Sequence, residues 1–95
     1  MAKGYWIVRV SVNDGERYPE YLTAARPAFE KYRANFIVRG GTFVAMEGQA
    51  RPRNVVVEFD SYETALACYR SPEYKQAKTV RQKYADADFV IVEGA

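Results

Sequence analysis

An α+β fold of the split-βαβ type, β-α-β-β-α-β, is what this sequence predicts, and three observations carry the prediction. Short runs rich in β-branched and aromatic residues alternate with longer runs whose apolar residues recur at helical spacing. The chain has 95 residues, enough for one domain (1–95) and too few for a second core. Its hydrophobic content of 48%, with charges spread along the chain, is that of a globular protein and not of a disordered one.

The elements follow in order. Gly4 to Val12 reads as a strand, with Trp6, Val8, Val10 and Val12 on one side and Tyr5, Ile7, Arg9 and Ser11 on the other. Asn13-Asp14-Gly15 is a turn. A helix fits Glu16 to Tyr32, with Tyr18, Tyr21, Leu22, Ala25, Phe29 and Tyr32 on one stripe. Pro27 inside that pattern predicts a kink or brief break near Ala25.

Asn35 to Met46 reads as the second strand. Gly40-Gly41 interrupts it, which favours a bulge, a bend or close approach of another backbone. Glu47 to Pro52 is then a hairpin connection and Arg53 to Phe59 the third strand. Asp60-Ser61 caps a short helix from Tyr62 to Arg70. Ser71-Pro72-Glu73 restarts the helix with an N-cap, a proline at the first helical position and an acid in the first turn. That segment runs to Lys83, and Ala87 to Glu93 is the last strand.

This order is ferredoxin-like: right-handed crossovers give a four-stranded antiparallel sheet with its helices on one face. Strands one, three and four are nevertheless apolar on both alternations, with Val55, Val57 and Phe59 against Val56, and Phe89 and Ile91 against Val90 and Val92. An antiparallel sheet with one wet face alternates cleanly. The helix-free face therefore needs a cover, and a second copy of the same sheet, hence a homodimer, is the simplest one.

Composition removes several functions. A formal charge of +2 without a Lys/Arg run argues against a nucleic-acid partner. A single Arg39-Gly40-Gly41 inside a strand does not make an RNA-binding arginine-glycine segment. The apolar run Tyr5 to Val8 meets Arg9 too soon for a secretory leader, and no stretch approaches the roughly 20 apolar residues of a membrane span. A cytoplasmic protein without a membrane partner is expected.

The one cysteine, Cys68, excludes an internal disulfide and reads as a small buried helix residue. Histidine is absent, which removes histidine-activated nucleophiles, histidine-ligated haem and most transition-metal sites. No metal or cofactor is expected, and acid–base chemistry falls to Glu, Asp, Tyr, Lys, Arg or Cys.

A family resemblance runs nearly end to end. It rests on Gly4-Tyr5-Trp6-Ile7-Val8-Arg9-Val10, on Tyr18 and Tyr21, and on Phe36-Ile37-Val38-Arg39-Gly40-Gly41. It continues through Glu47-Gly48, Arg51-Pro52-Arg53-Asn54-Val55-Val56, Glu58-Phe59, Ser71-Pro72-Glu73-Tyr74 and Arg81. In these residues the chain resembles the domain-of-unknown-function family numbered 1330, of the dimeric α+β barrel superfamily. It departs from that pattern at Ala50 and Cys68, where tryptophans are expected. The resemblance implies a homodimer with two sheets face to face, and no established activity.

Arg39 is the sharpest site candidate: a guanidinium in an apolar strand beside two glycines holds a carboxylate or phosphate by two parallel hydrogen bonds. Its alternative is an ion pair with Glu47 or Glu58. Arg53 joins it as a second acid-binding candidate. Glu58, between Val57 and Phe59, and Glu47, at the hairpin mouth, are candidate general bases, or else ion-pair partners.

Tyr69 and Tyr74 flank the helix break and can line a pocket; as stripe residues they equally fit the core. Arg81, on the face of Tyr74, closes that pocket or stays a solvated helix charge. Two functions follow. One is a cofactor-independent enzyme acting on a small organic acid or an aromatic, polyketide-like molecule, as some superfamily relatives are. The other is a non-catalytic dimeric module that binds a small carboxylate.

Overall fold

The structure, a computed structural model, describes residues 2–95. Its elements are β1 (Gly4–Val12), α1 (Pro19–Lys31), β2 (Asn35–Arg39), β3 (Arg53–Phe59), α2 (Tyr62–Arg70), α3 (Pro72–Tyr84) and β4 (Ala85–Glu93). The sheet order is β2-β3-β1-β4 and every pairing is antiparallel. This is the split-βαβ arrangement with its second crossover helix in two pieces.

The core lies between the helices and one face of the sheet. Trp6, Val8 and Val10 of β1 and Val55, Val57 and Phe59 of β3 are buried there. The helices meet them with small residues, Ala25 and Ala28 of α1, Ala65 and Cys68 of α2, and Ala77 of α3, all fully buried. Small side chains let the helix axes settle close to the sheet, so the large rings come from few positions.

Trp6 is the largest of these. Its indole N–H donates to the Ala65 carbonyl at 2.9 Å, which fixes α2 over β1. Gly4 is needed at the start of the same strand, because a Cβ there would collide with the Ser61 carbonyl at the N-cap of α2.

Several expectations change. The first helix begins at Pro19, because the Asp14 carboxylate accepts from the N–H groups of Glu16 and Arg17 (3.2 Å each) and holds that stretch as a turn. The helix then runs unbroken through Pro27, with no break near Ala25. Pro27 and Thr23, whose carbonyl loses its partner, both lie on the exposed side, where solvent satisfies that carbonyl.

β2 stops at Arg39, not Met46. Gly40 takes a left-handed φ of 65°, gives its N–H to Asn54 O at 2.8 Å and turns the chain out of the sheet. Residues 40–52 are a loop, so the hairpin connection between the antiparallel β2 and β3 is longer than Glu47 to Pro52. The bulge falls earlier, between Phe36 and Val38. β4 starts two residues ahead of expectation, at Ala85, which pairs with Val12.

The helix-free face carries exposed Ile7, Val90 and Val92, and the 40–52 loop adds exposed Phe43, Val44 and Met46. Among the described residues no helix is long and apolar enough to cross a membrane.

Ser71 is the joint of α2 and α3. Buried at 4% exposure, its Oγ donates to Cys68 O at 2.7 Å and accepts from Tyr74 N at 3.1 Å. Ser71→Ala removes the cap of the Tyr74 N–H and one of the two hydrogen bonds to Cys68 O, whose other donor is the Ser71 N–H, so a loss of about 1–2 kcal/mol is expected. Urea unfolding followed by circular dichroism reads it, and an unchanged midpoint contradicts the capping role.

Candidate functional site

β2 is an edge strand, and the C-terminal half of α1 lies beside it. The gap is an open cleft of about 530 Å³, walled by Leu22, Phe29, Ala34 and Phe36 and ringed by Arg26, Glu30, Arg33, Arg39 and Arg53. Three of the ring residues are set by α1: Arg26 and Glu30 are four residues apart, and Arg33 stands three further on, just past the helix end. Arg33 has a φ of 56°, and the Ala34 N–H bonds back to Phe29 O at 2.9 Å, a Schellman-type ending in which glycine is the usual residue. A side chain held in that conformation is strained, and it places a guanidinium on the rim.

Arg39 points to the helix side of the sheet, opposite Val55, with its guanidinium carbon 4.4 Å from the centroid of the Phe36 ring. It forms no ion pair with Glu47 or Glu58, the alternative raised from sequence. Among the described residues none of Arg26, Arg33, Arg39 and Arg53 lies within 4.0 Å of a carboxylate oxygen. Four cations therefore face one carboxylate, Glu30.

Leu22, Phe29, Phe36 and Arg53 also wall an adjoining, narrower slot of about 30 Å³, which Val10, Tyr18, Tyr21 and Arg81 line from the core. Arg53 bridges the two. The room left by the missing side chain of Gly40 is filled by its guanidinium, since a Cβ there would stand 2.6 Å from Nη1. Its Nε is buried without a partner, and its guanidinium carbon is 5.9 Å from the centre of the Tyr18 ring.

Arg81 is the larger surprise. It is 6% exposed, which overturns the reading of a solvated helix charge. α3 crosses α1 so closely that the inner face of α3 is sealed from water at this point. Arg81 Nη1 donates to the Tyr74 hydroxyl at 2.8 Å, and that hydroxyl shares a 2.9 Å hydrogen bond with Tyr21. Arg81 Nε is buried without a partner, and among the described residues no carboxylate pairs with the group.

Electrostatics keep this end cationic. Burial, and then the neighbouring Tyr21 phenol, push the Tyr74 hydroxyl far up. Burial does the same for Tyr21, and for Tyr18 against the opposing charge of Arg53. For Arg81, burial pulls downward, but the phenols of Tyr74, Tyr21 and Tyr69 outweigh it and the guanidinium moves up. At neutral pH the slot ends in a fixed positive charge among neutral phenols.

The other candidates lie elsewhere. Tyr74 is fully buried and stands behind Arg81 instead of lining a cavity. Tyr69 packs edge-on against Trp6 and lines neither space. Glu58 is on the helix-free face, where its carboxylate accepts from Tyr5 Oη at 3.0 Å. Glu47 is exposed in the 40–52 loop. The structure thus brings Arg39, Arg53 and Arg81 into one connected space and leaves Glu47 and Glu58 outside it.

Sequence reading missed Arg26, Glu30 and Arg33. Their spacing beside Leu22 and Phe29 was the available signal. Of the two departures from the family pattern, Ala50 borders a shallow recess on the other face with Arg51 and Asp88, and Cys68 is core.

The family described as Domain of unknown function (DUF1330) matches residues 3–95. No curated protein matches in sequence. Among solved structures, the RPA0582 protein of unknown function from Rhodopseudomonas palustris is similar at 17% identity and a TM-score of 0.78, over 99% of this chain and 83% of that one. SnoaB, a cofactor-independent oxygenase from Streptomyces nogalater, is similar at 8% identity and 0.64, over 97% and 92%. A dimeric protein of unknown function and ferredoxin-like fold from Bacteroides fragilis is similar at 16% identity and 0.57, over 96% and 95%. At these identities the likeness shows the fold, and it is ferredoxin-like.

Two titrations check the buried groups. Burial pushes the Cys68 thiol up to about 12, so the native protein should resist maleimide at pH 8 and react fully in denaturant. Tyr21 and Tyr74 are raised above 10.0, so their folded forms hold the proton more tightly than the unfolded chain does. Stability is then full below pH 10 and falls as pH rises beyond it, a slope that unfolding midpoints measure and that Tyr74→Phe should flatten. A native thiol that reacts readily, or a midpoint level through this range, contradicts the burial.

Proposed function

We propose that this chain, which belongs to the DUF1330 family, works as a homodimer that binds a small organic acid with a flat apolar body in the arginine-ringed cleft. The observation that carries the proposal is the ring of four guanidinium groups facing one carboxylate around an open space of about 530 Å³. Guanidinium groups gathered in one place repel one another, and a bound carboxylate relieves that repulsion through paired hydrogen bonds. Leu22, Phe29 and Phe36 supply apolar walls for the rest of the ligand. The volume falls in the range of about 300–1,000 Å³ common for small-molecule sites.

A second reading, turnover without a cofactor, is favoured by the buried cation at the end of the slot, which would stabilise negative charge developing on a substrate oxygen. Glu30 is then the carboxylate nearest to hand as a base. The fold-level likeness to a cofactor-independent oxygenase is compatible with this and adds no residue to it.

Arg39 tests the binding site. It is exposed and unpaired, so Arg39→Ala should cost under about 1 kcal/mol of stability. The same variant should weaken benzoate or phenylacetate binding about tenfold, or about 1.4 kcal/mol, in calorimetry or thermal shift. Arg39→Lys, which keeps the charge and loses the fork, should fall between. Full affinity in Arg39→Ala sinks the site.

The dimer rests on exposed Ile7, Val90 and Val92 and the apolar side chains of the 40–52 loop. Sedimentation should give twice the chain mass of 10.9 kDa. Val90→Lys places like charges at a self-complementary surface and should shift the mass to that of one chain. Wild-type protein sedimenting as one chain at micromolar concentration rules the dimer out.

A further inference from the structure

A buried guanidinium with no carboxylate is expensive, and the deep end of the cleft holds one. Arg81 reaches the slot from α3 with Nη1 spent on Tyr74 and Nε without a partner. Arg53 reaches it from β3, and its Nε is also buried and unpartnered. Two guanidinium groups from two elements, each with a buried Nε that has no protein partner, thus line one small space. Buried donors are satisfied in nearly all native structures, and buried charges are paired.

The polar groups facing this space are Tyr18 just ahead of α1, Tyr21 from α1, Arg53 from β3 and Arg81 from α3, with Tyr74 behind; among the described residues no carboxylate lines it. The slot measures about 30 Å³. That is about one water's share of the liquid, room for an oxygen on the end of a ring and not for a second carboxylate with its carbon.

We infer that the slot is an oxyanion subsite, in which Arg81 and Arg53 take the ionised oxygen of a phenol or enol at the far end of the ligand. This rests on the acid-binding reading of the cleft and names its substrate class: an aromatic or enolisable acid with a carboxylate at one end and an ionisable hydroxyl at the other. The carboxylate stays at the arginine-ringed mouth. The ring lies in the wider cleft against Leu22, Phe29 and Phe36. The hydroxyl proton leaves to solvent on binding, and Arg81 and Arg53 hold the oxygen left behind. Tyr74 and Tyr21, locked to each other, keep Arg81 in place without cancelling its charge.

The test uses 4-hydroxy-3-nitrobenzoate, whose phenolate absorbs visible light, against 3-nitrobenzoate, which has the acid and ring alone. The hydroxylated probe should bind about tenfold more tightly than the other at pH above its ionisation. Its phenol should ionise about one pH unit lower when bound than when free, read as visible absorbance across pH. Arg81→Met should abolish the ionisation shift and remove the tenfold preference for the hydroxylated probe over 3-nitrobenzoate.

If Arg81→Met does not fold, Arg53→Met, at a half-buried strand end, should reduce the shift, and wild-type spectra alone still decide whether there is one. Equal affinity for the two probes with no spectral shift overturns the subsite and leaves the cleft reading standing. Failure of both probes to bind overturns the two readings together. A spectral shift that survives both arginine substitutions assigns the oxyanion to another place and overturns the inference.

Discussion

The Trp6 side chain sets the geometry on which everything else depends. It rises from the central strand and meets Phe29 of α1, Phe59 of β3, Tyr74 of α3 and Phe89 of β4, along with Tyr69 of α2, all with ring centroids within 6.0 Å. Five elements are therefore positioned against one ring system, with the indole N–H tied to the backbone of α2. Aromatic edges and faces pack without polar loss, so this end of the core is dense. Next to Trp6 and Phe89 the sheet offers the smaller Val8, Val10, Val55 and Val57, and these line the slot that the arginines border.

Arg81 shows how the fold tolerates a charge in such a place. A carboxylate partner would satisfy the guanidinium and cancel its field. Tyr74 and Tyr21 do something different: their hydroxyls give it a hydrogen-bonding neighbour while burial keeps them neutral. Desolvation of the cation is offset in part, and the positive potential persists inside the core. A purely structural solution would use an apolar residue of similar volume, which often packs as well or better.

The two faces of the sheet divide the work. β2 is short because Gly40 diverts the chain after Arg39, and a short edge strand leaves the flank of α1 uncovered, which is what opens the cleft. The same departure sends Phe43, Val44 and Met46 outward with the 40–52 loop, away from the helix layer. One glycine conformation thus frees a pocket on the helix side and an apolar segment beyond the sheet edge. Arg53 occupies the space where the Gly40 side chain would be, so the turn and the site share an atom-level contact.

Much of this was legible in the residues themselves. Alternation sorted the residues of β1, β3 and β4 onto two sides, and the Ser61 and Ser71 side chains determined where α2 and α3 begin, because caps and periodicity are local and a side chain three residues away completes them. Three matters waited for tertiary structure. Where β2 ends depends on whether Gly40 stays in the ladder or turns, and either conformation is open to glycine.

Whether Pro27 breaks α1 depends on which side of the helix faces water. Whether Arg81 is solvated or buried, and whether it shares a space with Arg53 and Arg39, depends on how α3 and β3 meet α1. A helical or strand period assigns a residue to a face, but it does not say what stands opposite. That pairing of faces is settled only when the helices close on the sheet, and here it gathered charges from three distant segments of the chain into one cleft.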